Sequence, residues 1–227
     1  MTPNTAPLYP LFLKLHDRPC LVVGAGPVAA QKARDLLACG AVLRVVSPAV
    51  DRAWQPLLTA HAERITLVNR RFEPGDTLGH VLIFAATGDA AADESVFEDA
   101  RRNGLLANIV DVPHLCHFYA GSTVRRGEVT VAVSTAGASP SLAILLRERI
   151  EAALPEGLAT LVAALRDARP AILGRWPVYR ERAEAMKERV DAALRRLDAG
   201  HEPGLVSSDL VREVAPPPPA SNLDEVA

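Results

Sequence analysis

The stretch Pro19-Cys20-Leu21-Val22-Val23-Gly24-Ala25-Gly26-Pro27-Val28-Ala29 decides the fold. An apolar run of strand length ends in glycine, and apolar residues then return at Ala29, Ala33, Leu36 and Leu37, the spacing of one helix face. The reading is strand, tight turn, helix. Gly40 closes the helix, and Val42-Leu43-Arg44-Val45-Val46 follows as a second strand, parallel to the first through a right-handed crossover. In such a unit Gly24 permits the tight turn, Gly26 lets the backbone approach a pyrophosphate, and Ala29 keeps the helix close to the sheet. The helix start at Pro27 and Val28 then presents its free amides to the anion. A Gly-x-Gly-x-x-Ala string alone is a weak signal. Its place between a strand and a helix, with a second strand at the expected distance, favours an NAD site over a merely structural turn.

Working outward, further strands fit residues 65–68, 81–86 and 106–110, with a helix over 89–103. Strands alternating with helices predict a parallel sheet. After Pro113 the pattern changes. Residues 123–125 and 129–133 flank Arg-Arg-Gly-Glu and read as a hairpin. Ser139 and Pro140 supply an N-cap and a first-turn proline for a helix through Leu142, Leu145, Leu146 and Ile150. More helix is expected between Glu156 and Leu197, broken at Pro170 and Pro177. The predicted class is therefore α/β: a Rossmann-like parallel sheet over 1–113, a small α+β module over 114–147 and a helical domain over 148–200. Residues 201–227, with Ala215-Pro216-Pro217-Pro218-Pro219, are expected to form a disordered tail.

Lys plus Arg (25) and Asp plus Glu (27) nearly cancel, so no overall field draws the chain to nucleic acid or to an anionic membrane. No apolar run approaches the roughly 20 residues that cross a bilayer, and Met1 to Pro10 lacks the pattern of a signal peptide. The cytoplasm is the expected compartment. Cys20, Cys39 and Cys116 form no Cys-x-x-Cys pair, and buried thiols are expected rather than disulfides or a zinc site.

The acidic residue that usually grips the adenine ribose is absent, since the second strand runs into Ser47-Pro48-Ala49. Ser47 is the substitute candidate for the ribose. Arg44 could serve a 2′-phosphate, but a place inside the strand suits a sheet-covering role, and NAD is preferred to NADP. Thr87, in Ala85-Ala86-Thr87-Gly88-Asp89, stands where the fourth strand leaves the sheet, the end at which ligands bind in such folds. The alternative there is a capped helix start.

Taken together, Pro10-Leu11-Phe12-Leu13, the turn at 21–29 with Lys32-Ala33, Ala85-Ala86-Thr87, Asn108-Ile109-Val110-Asp111-Val112-Pro113 and Ala132-Val133-Ser134-Thr135-Ala136-Gly137-Ala138-Ser139-Pro140 resemble the precorrin-2 dehydrogenase family, the non-methylating N-terminal part of siroheme synthase. The resemblance runs over about residues 8 to 200. It implies oxidation of precorrin-2 to sirohydrochlorin with NAD accepting a hydride, and in several members insertion of ferrous iron. It also implies a homodimer, with 114–147 as the dimerisation module. Fused siroheme synthases continue into a methyltransferase domain, so methylation is expected from another protein.

The family's key carboxylate matches Asp111, which the residues themselves put just past a parallel strand. A carboxylate there could take the proton that accompanies hydride loss, whereas the bland reading is a turn cap before Pro113. Ser134, Thr135 and Ser139 lie in a small-residue loop suited to binding carboxylates, or to capping the next helix. A tetrapyrrole with many carboxylates needs cations, and Arg125 is the first candidate, with Arg126, Arg147 and Arg149 near it; solvated surface is the alternative. His114 and His117, three apart without a further ligand, are weak evidence for a metal, and none is expected. Two other classes remain open here: an NAD-sensing domain without turnover, and a methyltransferase with a similar glycine-rich turn.

Overall fold

The computed structural model describes residues 6–203. They form two compact units, the first made of the residues up to Ala120 with Ala136–Ala138, the second of Gly121–Thr135 and the chain from Ser139 onward. The expected tail falls almost wholly outside the described residues.

The first unit is a five-stranded parallel sheet of β1 (Pro19–Val23), β2 (Val42–Val46), β3 (Ile65–Val68), β4 (Leu82–Ala85) and β5 (Ala107–Ile109), in the order β3-β2-β1-β4-β5. Helices α1 (Pro27–Ala38), α2 (Gln55–Ala60) and α3 (Ala90–Arg102) connect them. The strands are apolar on both faces, as burial from both sides requires. Cys20, Val22, Leu43, Val45, Leu82 and Phe84 pack with Ala29, Ala33, Leu36 and Leu37 of α1 and with Trp54. The alternate residues Leu21, Val23, Ile83, Ala85 and Ile109 pack with Val96 and Ala100 of α3. This two-residue alternation puts one helix layer on each side of the sheet.

The expected strands 81–86 and 106–110 are shorter by a residue at each end, although Ile83 N–H still donates to the Leu106 carbonyl and Val110 N–H to that of Ala85. The short α2 has too little periodicity to be anticipated. Only Cys20 is buried; Cys39 and Cys116 are half-buried, a correction to the expectation of three buried thiols. Burial pushes the Cys20 thiol up to about 11, and the neighbouring Cys39 adds to this.

Between β3 and β4 the chain has no regular structure, and two carboxylates hold it. Asp99 of α3 accepts from Gly75 N–H at 3.0 Å and from Thr77 Oγ1–H at 2.6 Å. Asp76 forms a two-pronged pair with Arg70, with both distances 2.7 Å. The same loop carries His80, whose imidazole is held below its ordinary value chiefly by burial and further by Arg44, against the opposing pull of the Thr77 and Leu78 backbone and of Asp76. A depressed histidine stabilises the fold fully above its unfolded pKa of about 6.5 and loses that contribution as pH falls through the lower folded value. Urea midpoints are thus expected to fall between about pH 7.5 and pH 5.5, and His80→Asn is expected to flatten that slope. An unchanged slope in the variant would assign the pH effect to other groups.

In the second unit an antiparallel hairpin, β6 (Ser122–Arg126) and β7 (Val129–Val133), packs with α4 (Pro140–Ala153), followed by α5 (Leu158–Arg175) and α6 (Tyr179–Asp198). Its core is Leu158, Leu161, Ala193 and Leu197. Arg126 and Arg147 both pair with Glu151, at 3.1 and 2.9 Å. Pro177 lies in the break between α5 and α6 as expected, but Pro170 does not break the chain: it sits inside α5. Packing of Ala168 and Ile172 with Trp176 and Met186 on either side of it carries the helix through the missing hydrogen bond.

Candidate functional site

In the parallel sheet the strand order reverses between β1 and β4, and the crevice at the carboxyl ends there is where open α/β sheets take ligands. Three chain segments meet at that end: the Gly24–Gly26 turn after β1, Ala86-Thr87 after β4, and Val110-Asp111 after β5.

The two glycines of the turn have different physical roles. Gly24 has φ +93°, and a Cβ there would stand 2.4 Å from the Ala86 carbonyl oxygen, so the fold itself needs glycine. Gly26 has φ −80°, open to any residue, and a Cβ there would meet nothing within 4 Å. The space above Gly26 is therefore a cradle that a side chain would fill. Gly26 is also the N-cap of α1 and offers no capping side chain, so the amides that follow, beginning with Val28, receive no such partner. A pyrophosphate fits this arrangement in charge and in space. Pro27 opens the helix with φ already set and no amide to lose, and Val28 is half exposed beside it, at 46%.

Two supports of this turn were missed by sequence reasoning. Trp54, fully buried, donates its indole N–H to the Gly26 carbonyl at 3.3 Å, and Asp51 N–H donates to the Ala25 carbonyl at 2.9 Å. Both reach back from beyond β2, and no local pattern announces them.

Past β2, Ser47 is buried and donates its hydroxyl to the Ala49 carbonyl at 2.7 Å, which closes Ser47-Pro48-Ala49 into a small turn. Only the lone pairs of Ser47 Oγ remain to meet a ribose. Arg44 lies in β2, inside the sheet rather than at its edge, with Nη2 3.6 Å from Asp76. Thr87 donates its hydroxyl to Asp93 at 2.8 Å and accepts from Asp89 N–H at 3.0 Å. Asp89 in turn caps α3 through Ala91 and Ala92 N–H, so the capping reading holds for this loop as well.

Asp111 is exposed and left-handed, with φ +62°. A non-glycine residue there costs on the order of 1 kcal/mol, and strain of this kind gathers at functional positions. Its neighbours hold it: Val110 N–H bonds to Ala85, Val112 N–H to Ile109, and Cys116 Sγ–H reaches the Ile109 carbonyl at 3.2 Å. The exposed Asp111 thus sits on a braced turn, two residues past the carboxyl end of β5. His117 is engaged elsewhere, its Nδ1 accepting from Ala107 N–H at 3.1 Å and its ring stacked on Phe97. His114 is exposed on the short turn of helix over Pro113–Leu115. Among the described residues no three His, Cys, Asp or Glu side chains group as metal ligands.

The remaining candidates belong to the second unit. Ser139 caps α4 by accepting from Leu142 N–H at 3.2 Å, and its own N–H donates to Thr135 Oγ1 at 3.1 Å. Ser134 and Arg125 are exposed, and both have further partners. Among the described residues no helix is long and apolar enough to cross a membrane.

Comparisons with known proteins find relatives of both parts of the chain. A family model for NAD(P)-binding chains matches residues 11–122, and one for the central part of sirohaem biosynthesis proteins matches 126–153. A siroheme synthase from Nitrosomonas eutropha is 43% identical over 161 residues, 70% of this chain and 34% of the relative. One from Methylococcus capsulatus is 42% identical over 173 residues, 76% of this chain and 36% of the relative. The chain thus spans about a third of the length of these curated relatives. The solved structure of SirC, a precorrin-2 dehydrogenase, superimposes with a TM-score of 0.67 at 25% identity, covering 83% of this chain and 92% of that one. The Rossmann-like unit is accordingly an NAD(P)-binding domain.

Proposed function

Because this chain belongs to the family that forms the N-terminal dehydrogenase part of siroheme synthases, we propose that it oxidises precorrin-2 to sirohydrochlorin with NAD. The observation that carries the reading is the open, uncapped helix start at Gly26 with the strained Asp111 at the same end of the sheet. Gly24, Gly26, Pro27 and Val28 would hold the pyrophosphate, Ser47, Pro48 and Ala49 the adenine ribose on the β2 side, and Thr87 would bound the cofactor cleft on the β4 side of β1. NAD supplies the hydride acceptor.

The substrate must lose a proton together with the hydride, giving one NADH and one proton per oxidation. Asp111 is the base that takes that proton, its carboxylate carried on a turn held by the Val110, Val112 and Cys116 hydrogen bonds. Arg125, Ser134, Thr135 and Ser139 are assigned to the substrate carboxylates, the arginine by charge and the loop by its hydroxyls. The chain acts as a homodimer in the cytoplasm, with 114–147 as the dimerisation module and 148–200 as the helical domain. Support for the dimer comes from α4, which leaves Leu142 and Leu145 at 49% and 57% exposure. A molar mass of one chain by light scattering would overturn it.

The deciding experiment is anaerobic absorbance spectroscopy of the protein with precorrin-2 and NAD. NADH and sirohydrochlorin are expected to appear together in equal amounts. Tight NAD binding without turnover would instead favour a sensor domain. Adding ferrous ion to the same sample tests iron insertion, with iron as a substrate, against the uncatalysed rate.

A further inference from the structure

NAD and NADP differ by one phosphate on the adenine ribose, and in this fold that ribose lies at the carboxyl end of β2. Two arginines stand close to this end. Arg70 is tied to it through the backbone: its N–H and that of Ser47 donate to the same Val68 carbonyl, at 2.9 and 3.1 Å. Arg44 lies within β2 itself, three residues before Ser47. An arginine so placed would ordinarily welcome a 2′-phosphate.

Neither guanidinium is at liberty to do so. Asp76, whose side chain is only 6% exposed, takes both arms of Arg70 at 2.7 Å and holds Arg44 Nη2 at 3.6 Å. Glu73 N–H donates to the same carboxylate at 3.0 Å, and the Glu73 carboxylate lies 3.8 Å from Arg70. Arg70 is also tied to the Arg71 carbonyl at 2.8 Å. The charge of Arg70 is thus spent on a buried partner, and its fork points into the loop between β3 and β4.

We propose that Asp76 sets the preference for NAD over NADP by withholding Arg70, and secondarily Arg44, from the ribose end of the cofactor cleft. Asp76 touches no cofactor. It acts through the arginines and is a positioning residue. The proposal rests on the NAD site assigned above.

The test is titration of the purified apoprotein with NAD and with NADP separately, by calorimetry, so that no turnover is needed. Asp76→Asn keeps the shape and an acceptor for Glu73 N–H but cannot balance an arginine. In this variant the ratio of NAD to NADP affinity is expected to fall at least about tenfold, and Asp76→Asn with Arg70→Gln is expected to restore it. A purely structural role for Asp76 would weaken both cofactors together, and an unchanged ratio in a variant that still binds NAD overturns the proposal. Arg70→Gln alone gives a second reading: selective loss of NADP affinity would mean that Arg70 already serves the phosphate, and the proposal would fall. Failure of the unaltered protein to bind either nucleotide would overturn the assignment of the glycine turn, and this inference with it.

Discussion

Gly26→Val is expected to abolish NAD binding in a protein that still folds, whereas Gly24→Ala is expected to cost the fold itself. At position 26 the backbone is in a region that valine accepts, and the added atoms enter open space. Replacing an N-cap glycine by an apolar residue costs about 1 kcal/mol at most, so the melting temperature should move little. The methyl groups would nevertheless occupy the cradle, and dissociation constants for NAD should rise by about a hundredfold or more, roughly 3 kcal/mol. At position 24 the left-handed backbone costs an L-residue about 1–2 kcal/mol. Forcing the Ala86 carbonyl away from a Cβ at 2.4 Å adds about 1–3 kcal/mol more, as overpacking does. Thermal melts and NAD titration of both variants check the pair. A folded Gly26→Val protein with unchanged NAD affinity would remove the turn from the cofactor site.

Asp111→Asn is expected to lower turnover about 10²–10⁴-fold, the usual contribution of a positioned base, with NAD affinity nearly unchanged. Asparagine is the informative substitution because it also tolerates φ near +62°, so the turn is retained and only the proton acceptor is lost. Asp111→Ala would confound chemistry with strain. Single-turnover NADH formation measures the effect, and turnover within about threefold of the unaltered protein would leave Asp111 as a turn residue.

Both predictions show how unevenly the site could be read from the chain. The strand, turn and helix over 19–38 were legible because each is a local device: an apolar run, a glycine, then a 3.6-residue period. Gly-x-Gly-x-x-Ala named the turn but not the division of labour within it. That division depends on Ala86, some sixty positions along the chain, approaching Gly24 and leaving Gly26 clear. Trp54 under Gly26 and Asp76 on Arg70 are likewise contacts closed by folding. Pro170 shows the same limit from the other side. Local chemistry marks it as a helix breaker, and the packing of α5 overrides it.

The sequence by itself determined the succession of strands, the parallel sheet and the end of the sheet at which chemistry-bearing residues gather, since periodicity and turn residues act over a few positions. Only the tertiary structure decided which glycine the fold requires, that Asp111 is held left-handed, and that Arg44 and Arg70 are already paired with Asp76. Those properties arise between residues distant in the chain, where backbone approach and charge pairing depend on the whole packed domain rather than on any local pattern.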